Sequence, residues 1–374
     1  MRTLIVGGGI AGLCTAWGLA RLGHEVALFE RGPLPQPLGS SFDQHRLIRH
    51  PYGDHEGYAR MIDRAFEVWD LLWKDLGSRH HARTGTLALT GNGADWAEVS
   101  ACTLGRIGRP MTEIPVGELS RRFPLLDPAG LERAFWLETG GLLFAQDIVA
   151  DLVRHLATRP GVTLHPGTEV REVDPDRARL TTSDGKVHTG DRLVVAAGAW
   201  VGRLLPAIGT RVVPSRQVVA YFEPPPEARA AWATAPIVIE KTGDVGLYLA
   251  PPAEGRGLKV GDHEFSLRGD PDARRDDATP AEIAPLLKRC RSLLRGFDRW
   301  PAPRLQVCFY SVTRDERFIV EPVGRAGWAM SPCSGHGFKF GSVMGYELAA
   351  TLVHERDPAI HSRWAAGLAG AAPF

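Results

Sequence analysis

The chain has 374 residues, enough for two domains that each bury an apolar core. Apolar residues at 44%, charged residues at 23% and a formal charge of +1 describe a soluble globular protein, and they exclude the strong surface field that nucleic acid or an anionic membrane would need. Cys14, Cys102, Cys290, Cys308 and Cys333 show neither paired spacing nor CxxC, so no disulfide framework and no metal site is expected.

In chain order, Thr3–Val6 reads as a short buried strand. Ile10–Leu22 follows with helical spacing at Ile10, Leu13, Ala16, Trp17 and Ala20, and Glu25–Glu30 is a second strand. This is a β-α-β unit, left through a Pro/Gly-rich loop from Gly32 to Gly39. The strand runs straight into a glycine turn, without a signal-peptide pattern, and no apolar run approaches bilayer length, so a cytoplasmic location is expected. Helical spacing returns over Tyr58–Leu76 and Ile148–Ala157. Strands are expected at Thr84–Thr90, Val162–His165, Glu169–Val173 and Leu193–Ala197. After a polar, Pro-rich passage from Glu223 to Ala235, further strands are expected at Pro236–Glu240, Gly246–Ala250, Leu305–Tyr310 and Phe318–Glu321. A last helix starts near Ser342. The pattern is α/β at both ends with a β-rich middle.

Gly7-Gly8-Gly9-Ile10-Ala11-Gly12 is GxGxxG between a strand and a helix. Gly7 permits the tight turn, Gly9 lets backbone approach a pyrophosphate, and Gly12 lets helix pack on strand. The helix start offers free N–H groups to phosphates, and Glu30, with Arg31 beside it, stands where a carboxylate accepts ribose hydroxyls. An acidic residue there disfavours NADP, while NAD and FAD share the fingerprint. No second GxGxxG follows a strand, which argues against a separate NAD domain. Leu193–Trp200 (LVVAAGAW) is a buried strand ending in small residues, either a core strand with a tight turn or a close approach to cofactor at Ala197 and Gly198.

Three segments are rich in groups that could do chemistry: His45–His50 (HRLIRH), Gly257–His263 (GLKVGDH) and Ser334–Phe340 (SGHGFKF). By residue type alone, Arg46 and Arg49 could be ion-pair residues, Lys259 an edge-strand charge, Lys339 a helix cation and Cys308 a core cysteine.

Together these segments resemble the monomeric sarcosine oxidase family, which includes N-methyltryptophan and pipecolate-type oxidases. The resemblance rests on GGGIAG at 7–12, RLIRHPYG at 46–53, VVAAGAW at 194–200, GLKVGDH at 257–263, CFYSVTRDERFIV at 308–320 and SGHGFKF at 334–340. It implies a Rossmann-like FAD-binding domain from discontinuous segments, expected at 1–84, 140–213 and 305–374. A β-sheet substrate domain with flanking helices is expected at 85–139 and 214–304. It also implies an FAD-dependent oxidase that converts a C–N bond of a small amino-acid-like substrate to an imine and dioxygen to hydrogen peroxide, as a monomer.

Residue by residue, the resemblance implies that Cys308 bonds covalently to the flavin 8α-methyl carbon. Lys259 reaches the flavin N5 through water and serves dioxygen, a fixed cation there stabilising superoxide. Arg49 and Lys339 clamp the substrate carboxylate, and Arg46 lies against the flavin. Tyr248 walls the substrate cavity with His263 nearby. Val170 contacts the adenine edge, and Gly335, His336, Gly337, Phe338 and Lys339 bind the cofactor. The chain departs from the family where Ser41-Phe42-Asp43-Gln44-His45 replaces a His-His-Gly run and a threonine. Phe42 removes an imidazole and His45 adds one. Asp262 replaces an aromatic residue beside His263. Sarcosine is therefore not the expected substrate. A flavin dehydrogenase with another electron acceptor, a non-catalytic flavoprotein and an NAD-dependent dehydrogenase are the rival readings. Lys259 argues against the first, and Lys259, Lys339 and Cys308 against the second.

Overall fold

The structure is a computed structural model that describes residues 1–242, 246–273, 275–368 and 370. Apolar residues in unbroken runs, such as Leu4-Ile5-Val6 and Leu193-Val194-Val195, form strands covered on both faces, the habit of a parallel sheet. Six strands lie in the order Ile319–Val323, Gly327–Ser331, Arg192–Val195, Arg2–Val6, Glu25–Phe29, Val162–His165. All neighbours are parallel except the first pair.

The helix Ile10–Arg21 follows the first strand and packs against the helix Gly341–Val353, which returns from the far end of the chain. Their backbones touch because Gly345 has no side chain: a Cβ there would stand 2.4 Å from the carbonyl carbon of Cys14. A three-stranded antiparallel meander, Val170–Asp174, Arg179–Thr182 and Val187–Thr189, packs beside this sheet.

The second sheet has eight strands in the order Arg304–Thr313, Val212–Phe222, Leu258–Asp262, Gly246–Ala250, Ile237–Thr242, Thr86–Gly91, Arg133–Leu137, Thr112–Glu113. One face is buried under the helix Pro280–Leu293, through Val238, Leu247, Leu249, Leu286 and Cys290. The opposite face, bearing Ile239, Tyr248 and Lys259, looks towards the nucleotide sheet and forms part of a cavity wall. A small sheet of Arg46–Ile48, Gly141–Leu143 and His81–Arg83 joins the two halves. Among the described residues, no helix is long and apolar enough to cross a membrane.

Several elements differ from the sequence expectation. The strand carrying Cys308 pairs with Val212–Phe222 over ten residues, so it belongs to the second sheet, and a nucleotide domain resuming at 305 would cut through it. Val212–Phe222 itself escapes detection because Pro214, Ser215, Arg216 and Gln217 interrupt its alternation. The helix Pro280–Leu293 was legible in principle. Thr279-Pro-Ala-Glu282 is a capping box with proline at the first helical position, and Glu282 Oε2 accepts the Thr279 N–H at 2.9 Å.

Candidate active site

The glycine turn and the three basic segments line one cavity of about 910 Å³. At its nucleotide end, Gly7 adopts φ +111°, and a Cβ there would come within 2.3 Å of Ala196 O; a Cβ on Gly12 would meet Gly7 O at 2.0 Å. Only glycine closes this turn without displacing backbone. Glu30 accepts N–H groups from Gly8 at 2.8 Å and Gly32 at 3.1 Å, and from Gln36 Nε2 at 2.9 Å. A carboxylate has about four acceptor positions, so capacity remains for a ribose hydroxyl. Ile10, Ala11, Arg31, Val170, Ala197 and Gly198 line the same end. Arg31 lies 4.2 Å over the Trp200 ring and 2.7 Å from Asp272, which holds it at the rim. Ser41, to which the sequence assigned no role, accepts the Ile10 N–H at 3.0 Å.

At the other end, Lys259 and Arg46 are brought together by a residue that sequence reasoning did not single out. Asp43 Oδ2 lies 2.6 Å from Lys259 Nζ and 2.9 Å from an Arg46 nitrogen, and Oδ1 accepts the Tyr221 hydroxyl. Asp43 and Lys259 are each 1% exposed. Burial penalises the Asp43 carboxylate, but the two cations outweigh it and hold its pKa below the usual value. Burial and the Arg46 charge push Lys259 down to about 8, against the pull of Asp43. Lys259 also donates to His45 O at 3.3 Å. His45 is fully buried, and burial with the Lys259 charge pushes it down to about 4, so its imidazole is neutral at neutral pH. Neither His45 ring nitrogen, nor Arg46 Nε, has a hydrogen-bond partner among the described residues.

Arg49 and Lys339 flank Tyr52. The Arg49 guanidinium carbon is 4.6 Å from the Tyr52 ring centre. Lys339 Nζ donates to Tyr52 Oη at 3.0 Å and to His336 O at 2.8 Å. Neither cation has a carboxylate partner among the described residues. Burial and the charges of Arg49 and Arg46 push Lys339 well below the ordinary lysine range.

Tyr248 crosses its strand neighbour Gly261, where a Cβ would meet the Tyr248 hydroxyl at 2.4 Å, so glycine opposite makes room for the ring. His263 lies at the rim, 2.7 Å from Glu316 Oε2. Gly335, His336, Gly337 and Phe338 line the cavity. Both His336 ring nitrogens are engaged internally, by Tyr52 at 3.3 Å and Glu316 O at 3.0 Å. Cys308 shares its strand face with Tyr310 and is buried among Tyr310, Val312, Phe265 and Cys333. Tyr310 and Cys333 line the cavity, and Cys308 packs against them without being one of its lining residues. Burial raises the Cys308 thiol, opposed by the Arg46 charge.

With this geometry in view, relatives can be compared. Residues 2–351 match the family described as FAD dependent oxidoreductase. The chain belongs to that family. It is 30% identical over 371 residues to the monomeric sarcosine oxidase of Bacillus sp. (strain NS-129), covering 96% of this chain and 95% of that one. It is 24% identical over 368 residues to the N-methyl-L-tryptophan oxidase of Yersinia pestis (strain Pestoides F), covering 96% of both. In fold it matches NikD, an unusual amino acid oxidase, with a TM-score of 0.79 at 22% identity, over 95% of this chain and 94% of that one.

The residues present fit FAD. The glycine turn leaves a backbone cradle, Glu30 keeps acceptor capacity, and the partnerless Arg46 Nε and His45 nitrogens supply polar groups at the far end. This FAD-dependent oxidoreductase would hold the adenosine half at Gly7–Gly12, Glu30 and Val170, and the ring end near Arg46 and Lys259. Tyr52, Trp96, Lys241, Asp43 and Tyr221 were missed. Tyr52 lies within RHPYG and Asp43 within the run that departs from the family, whereas Trp96, Lys241 and Tyr221 are ordinary residues that only the fold brings to the site.

Replacing Asp43 by Asn leaves two buried cations without their anion. The expected result is a loss of about 3 kcal/mol of unfolding free energy, measured by urea titration of the FAD-loaded protein.

Proposed function

We propose that this enzyme oxidises the C–N bond of a small amino acid, secondary, cyclic or primary, to an imine, with dioxygen as electron acceptor and hydrogen peroxide as product. Arg49 and Lys339 carry this reading: two cations without carboxylate partners among the described residues, on either side of Tyr52, in the cavity that the glycine turn opens. They suit a substrate carboxylate, which takes the guanidinium fork on one side and the point charge of the ammonium on the other. FAD, when bound, supplies the two-electron redox chemistry.

The chain supplies position and charge. Tyr248 walls the cavity beside the amine-bearing carbon, with His263 at the rim. His45 stays neutral, so it presents a ring nitrogen without adding positive charge near the bound amine. Arg46 and Lys259 keep positive charge on the sheet face where dioxygen is reduced, and Asp43 holds the Lys259 ammonium in place. Sarcosine oxidase and N-methyltryptophan oxidase relatives support oxidation of N-substituted amino acids. Phe42 and His45, where the resemblance leads one to expect other side chains, set a different cavity surface and disfavour sarcosine itself.

The reading is tested by anaerobic titration with N-methyl, cyclic and simple amino acids. At least one should bleach the flavin absorbance, and bleaching by none of them rules out amine oxidation. Lys259→Met should slow reoxidation by dioxygen on the order of a hundredfold while changing substrate reduction far less, as separate stopped-flow measurements would show. Because burial lowers the Lys259 pKa to about 8, the cation is present below that pH and lost above it. The reoxidation rate constant should therefore fall as pH rises through about 8.

We also propose that Cys308 carries the flavin covalently, supported by its place on the strand face of Tyr310, which lines the cavity. Flavin should stay with acid-precipitated protein, and Cys308→Ser should release it. Free FAD in the supernatant of unmodified protein would show that the link is absent.

A further inference from the structure

Lys241 is a further cation in the cavity, one that the proposed reaction does not use. Along Ile237–Thr242, Val238 and Glu240 face the helix layer, where Glu240 pairs with Arg289 of Pro280–Leu293. By alternation Ile239 and Lys241 face the opposite way, and both line the cavity. The cross-strand partner of Lys241 is Gly246, and a Cβ there would stand 3.2 Å from both Cγ and Cε of the lysine. The lysine stem therefore lies across the bare backbone of Gly246.

The ammonium stands 5.3 Å from the centre of the Trp96 ring, and the Arg49 guanidinium carbon stands 5.6 Å from the same centre. One indole is thus shared by two cations. Among the described residues, Lys241 has no hydrogen-bond or ion-pair partner. Glu316, the carboxylate that acts on it most, is held by His263 at 2.7 Å. Burial and the Arg49 charge lower the Lys241 pKa, a cost that an arriving anion would offset. The same Arg49 lies over Tyr52, whose hydroxyl accepts from Lys339. Arg49 thus stands between two lysines, Lys339 past Tyr52 and Lys241 past Trp96. A single α-carboxylate uses the first pair and leaves the second unmatched.

We propose that Lys241 and Arg49 form a second anion subsite, so that the substrate is an amino acid bearing a second carboxylate on its side chain or its nitrogen substituent. This rests on the carboxylate-binding reading of Arg49 and Lys339 given above. The subsite selects dianionic amino acids over neutral ones of equal size, because the latter leave Lys241 partly desolvated and uncompensated. Trp96 spaces the two cations and covers the apolar part of the ligand.

Binding can be separated from turnover with analogues in which sulfur replaces nitrogen. Thiodiacetate, with two carboxylates, and (methylthio)acetate, with one, are titrated calorimetrically into the FAD-loaded protein. Thiodiacetate should bind at least about tenfold more tightly. Lys241→Met should reduce that ratio to about threefold or less, and Lys241→Arg should preserve it. Equal affinities in the unmodified protein, or a ratio untouched by Lys241→Met, would overturn the subsite. Turnover then locates the second charge. Iminodiacetate and both enantiomers of N-methylglutamate, compared with sarcosine and N-methylglutamine, show whether it sits on the nitrogen substituent or the side chain. A dianion preference in binding without flavin reduction by any of these amines would count against amine oxidation while leaving the subsite standing.

Discussion

The basic end of the cavity depends on one buried carboxylate. Asp43 comes from the loop that leaves the nucleotide unit, Lys259 from one strand of the second sheet and Tyr221 from its neighbour; these three are buried, and they meet Arg46, which is partly exposed to the cavity. Two cations cannot be buried this close unless an anion is buried with them, since each unpaired charge costs several kcal/mol. The cluster also couples the two halves of the molecule. The Asp43–Lys259 contact ties the loop to the sheet at the basic end of the cavity.

Charge compensation divides Arg46, Lys259, Arg49, Lys339 and Lys241 into two kinds. Arg46 and Lys259 are matched by protein and can stay charged without a ligand, Lys259 up to a pH of about 8. Arg49, Lys339 and Lys241 rest against aromatic rings and backbone oxygens, partners that stabilise a cation less than a carboxylate does. The first kind suits a permanent role in holding cofactor charge and serving dioxygen. The second kind has no anion of its own among the described residues, which is the basis of the recognition surface proposed above. Tyr52 stands between Arg49 and Lys339, and Trp96 between Arg49 and Lys241.

Much of this was legible in the sequence where chemistry leaves a local mark. The GxGxxG turn needs glycine at fixed positions because any Cβ would strike backbone, and those contacts are found at Gly7 and Gly12. The opening strand and helix follow from their apolar spacing and lie within a residue of expectation. Val212–Phe222 was lost because a strand in the middle of a sheet can carry proline, serine and arginine when its neighbours supply the burial. Asp43 and Lys241 were lost for another reason. Neither sits in a motif, and an aspartate in a loop or a lysine on a strand is ordinarily a solvated charge.

The sequence alone determined that a β-α-β unit binds a dinucleotide, that the chain resembles flavin-dependent amine oxidases and that its reactive groups fall in three basic segments. Short-range rules suffice for these, because turn geometry, helix spacing and motif order act within tens of residues. Only the tertiary structure decided which charges are paired and which face the cavity unmatched. That outcome depends on strands more than 200 residues from the glycine loop, and on the burial that makes a 2.6 Å contact between Asp43 and Lys259 worth its desolvation.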